Sequence, residues 1–122
     1  MANLRAVEIK AFVPSRDYER SKQFYKDVGF EMASDTGGIA YFHHGEVSFL
    51  LEDSFPEGAA LRPALHLLVE DVDAWWKQLQ DANIAGRYDV KISDIVQQPW
   101  RMRDFTLEDP SGVKWRIAQN TD

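Results

Sequence analysis

Two aspartates, Asp17 and Asp71, each stand between an extended apolar run and a stretch with helical spacing, and this repeated order constrains the fold more than any other feature. The first run, VEIKAFV (7–13), is rich in β-branched residues and stops at Pro14, as a strand does. Ser15 or Asp17 can cap the helix that follows, acidic Asp17 and Glu19 suit its positive end, and Gly29 allows a left-handed stop. Tyr18, Ser21, Tyr25 and Val28 recur at intervals of three or four and predict one buried stripe. FEMAS, IAYFH and EVSFLLE then read as short strands, with DTGG and HG supplying the turns.

The order repeats after residues 53–63, DSFPEGAALRP, which carry two prolines and no helical or strand period. ALHLLV (64–69) predicts a strand. Asp71 caps a helix whose stripe is Val72, Trp75 or Trp76, Leu79 and Ala82. IAGRYDVKI, RMRDFTLE and VKWRIAQ predict three more strands, the last two joined by a DPSG turn in which Pro110 fixes one dihedral and Gly112 tolerates positive φ. The economical reading is α+β: one domain over residues 1–122 built from two βαβββ modules, about 5–52 and 64–119, with 53–63 as linker.

Charge and composition remove several classes of function. Fourteen Lys and Arg against 20 Asp and Glu give a net charge of −6, which opposes binding to a phosphate backbone and favours cationic partners. The absence of Cys excludes disulfides, thiolate nucleophiles and Cys-based metal centres. MANLRAVEIK lacks the apolar stretch of a signal peptide, and no run approaches the roughly 20 apolar residues of a membrane span, so a soluble, cytoplasmic protein is expected.

RDYERSKQFYKDVGFEM, EDVDAWWKQL and DFTLEDPSGVKWRI, in this order, resemble the vicinal oxygen chelate superfamily of glyoxalases, extradiol dioxygenases and bleomycin-resistance proteins. QQPWRMRDFTLEDPSG and the PSRD before the first helix are most similar to the bleomycin-resistance branch. The resemblance implies a mixed sheet curled into a cup with helices on its outer face, and a homodimer with cups at or near the interface. It also implies four strand positions for metal ligands. Here these fall on Glu8, on Phe49 or Ser48, on Ala64 and on Arg116.

Only Glu8 among those can ligate, and a guanidinium stays protonated and repels a cation. His66, two residues beyond Ala64 on the same strand face, offers a displaced site with Glu8. Two ligands are too few to define a catalytic centre, so neither metal nor other cofactor is expected. The predicted function is metal-free binding of an aromatic or cationic antibiotic-like molecule, with Phe12, Phe49, His66, Trp100 and Arg116 lining the cup. A Glu8–Arg116 ion pair would fill the lost metal centre. The competing reading is a metal-dependent lyase, dioxygenase or thiol transferase of the same fold. Trp115, alternating with Arg116, is expected in the core, whereas Arg101, Arg103 and Asp104 are expected at the rim, and Asp35, Asp53 and Glu57 could attract a cation.

Overall fold

A computed structural model describes residues 2–56 and 63–122, so Glu57 and most of the expected linker lie outside the described residues. The described residues form two four-stranded mixed sheets. The first is ordered β1 (Phe12–Pro14), β4 (Val47–Glu52), β3 (Ile39–His44), β2 (Glu31–Thr36). The second is ordered β5 (Ala64–Leu68), β8 (Lys114–Asn120), β7 (Met102–Glu108), β6 (Val96–Gln98). In each sheet the first strand runs parallel to the last, and the other pairings are antiparallel. No ladder joins the sheets among the described residues.

Helix α1 (Tyr18–Val28) starts where the sequence places it. The Asp17 carboxylate accepts from the Arg20 amide at 3.1 Å, and Gly29 closes the helix at φ 129°. Its buried stripe contains Ser21, Tyr25 and Val28, extended by Lys22 and Phe24. Helix α2 (Val72–Asp81) is capped in the same way by Asp71, and buries Val72 and Leu79.

Two expectations are corrected. Residues 7–11 do not extend β1: Val7 and Ile9 are 92% and 94% exposed, because the chain's own sheet offers them no apolar surface. IAGRYDVKI is not a strand either. It forms helix α3 (Ile84–Tyr88), bounded by the left-handed residues Asn83 and Asp89, and then a single bridge from Ile92 to Leu107. Ile84 and Tyr88, four residues apart, are both buried, so packing selects the helical period over the β propensity of the segment.

One core lies between the helices and one face of each sheet. At its centre the Tyr25 hydroxyl donates to Asp109 Oδ2 at 2.6 Å and accepts from Trp115 Nε1 at 2.9 Å. Asp109 Oδ1 in turn accepts from the amides of Ser111 and Val113, which fastens the DPSG turn to α1. Pinning Trp115 on the helix side has a direct consequence. Alternation along β8 turns Arg116 onto the opposite face.

Candidate ligand-binding site

The face of the second sheet turned away from the helices carries an organised polar cluster. Ladder register sets Arg116 between His66 on β5 and Thr106 on β7, with Asp104 two residues further along β7, opposite Ala118. Phe105 and Leu107 are buried in the core, so alternation directs Asp104 and Thr106 to Arg116's side. The Arg116 guanidinium lies 3.1 Å from Asp104 Oδ2, as a charge contact without hydrogen-bond alignment. Gln98 Nε2 donates to Asp104 Oδ1 at 2.9 Å. Asp104 is only 2% exposed, while the Arg116 side chain is 39% exposed. A buried carboxylate therefore holds an open cation.

On the first sheet, Tyr41, Ser48 and Leu50 share the corresponding face, since their neighbours Ala40, Phe42, Phe49 and Leu51 are buried in the core. Glu8 folds onto this face. It pairs with Lys10 at 2.5 Å, accepts from Ser48, and accepts from the Tyr41 hydroxyl at 3.3 Å. The Lys10 ammonium, then the Ser48 hydroxyl, hold its carboxyl below the usual range. Glu8 is thus engaged within its own sheet, and Arg116 pairs with Asp104 instead.

Between β4 and β5 lies a cavity of about 230 Å³, with Ser48, His66 and Leu68 at its wall and Phe30, Phe49 and Trp115 also lining it. Phe49 is 2% exposed, with its ring stacked on Phe42 at 5.5 Å between centroids. It reaches the cavity from the core, and Ser48 takes the face position. Phe12, opposite Leu50, is 56% exposed on the face away from the helices. Trp100 is 58% exposed at the tip of the β6–β7 hairpin, where the Arg101 amide donates to the Gln98 carbonyl and Arg101 takes φ 63°. The structure thus brings His66 and Arg116 together and sets Trp100 beyond Gln98.

Gln98 and Tyr41 are members of the candidate site without a sequence expectation, Asp104 is buried where the sequence reading expects a rim residue, and Ser48, the alternative to Phe49, takes the face position. The signal for Asp104 was present, because alternation in RMRDFTLE with Phe105 and Leu107 inward puts it on the cup face. Asp35 is committed to Lys22 at 2.6 Å and to the Tyr18 hydroxyl, and Asp53 closes a loop through its amide to the Gly38 carbonyl. Glu8, Ser48 and Arg116 are a poor donor set for a divalent ion, and among the described residues no three His, Asp or Glu side chains gather as a metal site.

Residues 8–117 match the sequence profile of the Glyoxalase/Bleomycin resistance protein/Dioxygenase superfamily. The chain belongs to this superfamily. A bleomycin-binding protein solved in complex with bleomycin superposes with a TM-score of 0.79 at 22% identity, over 94% of this chain and 99% of that one. TnmS3, an antibiotic-binding protein from Streptomyces sp. CB03234, gives 0.77 at 26% identity over 98% and 100%. Lactoylglutathione lyase from Agrobacterium tumefaciens gives 0.68 at 18% over 93% and 94%. No protein of curated function matches the sequence closely. The superfamily fold is thus shared by binders and by enzymes, and the residues at the site must discriminate between them.

Proposed function

We propose that this superfamily member is a small-molecule binding protein that holds an aromatic, antibiotic-like ligand without a metal and without altering it. The observation that carries this reading is Arg116. At a position where catalytic relatives are expected to place a metal ligand stands a guanidinium tied to buried Asp104, and such a group cannot coordinate a cation. Trp100 supplies an exposed indole for stacking, and Phe12 and His66 add further ring surface. The net charge of −6 favours approach of a ligand that also carries positive charge. The likeness to a bleomycin-binding protein and to an antibiotic-binding protein supports the ligand class.

The working unit in this reading is a homodimer. Leu4, Val7, Ile9, Phe12 and Leu68 are all more than half exposed, and a second copy would cover them. Calorimetric titration with metal-free bleomycin tests the proposal: saturable binding by the wild type, weakened at least about tenfold in Trp100→Ala, is expected from the loss of one stacking contact. No binding, or binding indifferent to Trp100, would contradict it. The enzymatic alternative rests on Glu8 and His66, and it requires stoichiometric bound metal that Glu8→Ala removes.

A further inference from the structure

Given the binding reading above, we propose that Arg116 selects the ligand's polar group, and that this group is an acceptor with paired oxygens, such as an aromatic carboxylate, and not a cation. A guanidinium has five N–H donors in a rigid fork. Among the described residues the polar side chain in contact with Arg116 is Asp104, through a single nitrogen at 3.1 Å. The guanidinium is therefore paired with a buried carboxylate while its own side chain stays 39% exposed.

Its surroundings decide the sign. Asp104 is 2% exposed, and its second oxygen is taken by the Gln98 amide, so this carboxylate is not offered to a ligand. The ladder neighbours that flank Arg116 are His66 and Thr106, neither of which is an anion. Glu108 lies one pair further along the face, directly opposite Lys114. A cationic group docking here would meet the guanidinium first. A planar pair of oxygens would meet a partly exposed guanidinium already drawn to one side of the site by its charge contact with Asp104, and could accept a paired, charge-assisted contact from it. The overall charge of −6 acts on encounter at long range and does not reverse this local preference.

Three probes with one ring system separate the possibilities: naphthalene-2-carboxylate, 2-naphthylmethanol and 2-naphthylmethylammonium, each titrated by calorimetry into the full chain. The expected result is that the carboxylate binds about tenfold more tightly than the other two, as a charge-assisted paired contact implies. Arg116→Gln is expected to erase that preference, bringing the affinities for the three probes within about twofold of one another, and Arg116→Lys to retain part of it. Thermal melts confirm that both variants fold, and the lysine variant serves if the glutamine one does not. Equal affinities for the three probes, tightest binding of the ammonium, or a carboxylate preference surviving in Arg116→Gln overturns the proposal. Ring binding indifferent to the head group sinks this inference alone. Failure of every naphthalene probe overturns it too, and the bleomycin titration then shows separately whether the binding reading stands.

Discussion

Arg116 and Asp104 form an asymmetric pair, and the asymmetry sets what each substitution does. Removing the arginine strands a buried carboxylate, whereas removing both charges leaves no buried charge unpaired. Arg116→Leu should therefore destabilise the fold by roughly 2 kcal/mol, below the usual cost of a broken buried pair because the arginine itself is half open to water. The double variant Arg116→Leu/Asp104→Asn should recover most of that loss in urea unfolding. Equal destabilisation by the single and the double variant would contradict the pairing. At this scale the sequence was partly legible. Strand alternation is a local property, so the inward Trp115 and the outward Arg116 could be read from VKWRIA alone. The partner of Arg116 could not, because the choice between Glu8 and Asp104 depends on which strand lies beside β8 and on how far the segment before β1 reaches.

The DPSG turn and helix α1 depend on each other through Asp109. This carboxylate accepts from two backbone amides and from the Tyr25 hydroxyl, and Asp109→Ala should cost about 3 kcal/mol by leaving those buried donors unmatched. Burial pushes the Asp109 carboxyl above its ordinary range, against the opposing pull of Tyr25 and the turn amides. Its folded pKa thus lies above the unfolded one. The associated stability is fully present below the ordinary carboxylate range and is lost as pH rises through the raised value. Asp109→Asn cannot titrate, so the stability of the wild type relative to that variant should rise as pH is lowered through this window. A difference independent of pH would contradict the assignment. Helix starts, helix stops and the paired turns were legible because capping chemistry acts within a few residues. Helix α3 was not. Only Ile84 and Tyr88 in it favour strands, Gly86 favours neither state, and its helical period is supported by Phe24, whose ring meets Tyr88 edge-on at 5.2 Å, and by Asp27, which binds Arg87 at 2.7 Å.

For the molecule as a whole, the duplicated order of strands and helices predicts two similar βαβββ modules, and each module forms its own four-stranded sheet with its first strand paired to its last. What sequence could not supply is the fate of residues 2–11, since an alternating apolar segment reads as a strand whether or not a partner strand exists. Its exposed Val7 and Ile9 lead to a prediction on assembly. Sedimentation should give a dimer for the wild type and a predominantly monomeric species for Val7→Glu/Ile9→Glu, with folded secondary structure retained. An unchanged dimer would place the interface elsewhere. The proposed function makes this member of a superfamily shared with enzymes a binder, because an arginine paired with a buried carboxylate stands where a metal ligand is expected. Its most direct test is to saturate chelator-treated protein with metal-free bleomycin, release the ligand by denaturation and weigh it by mass spectrometry. The account predicts binding that survives the chelator and full recovery of ligand at its original mass; binding lost with the metal, or a ligand of changed mass, would contradict it.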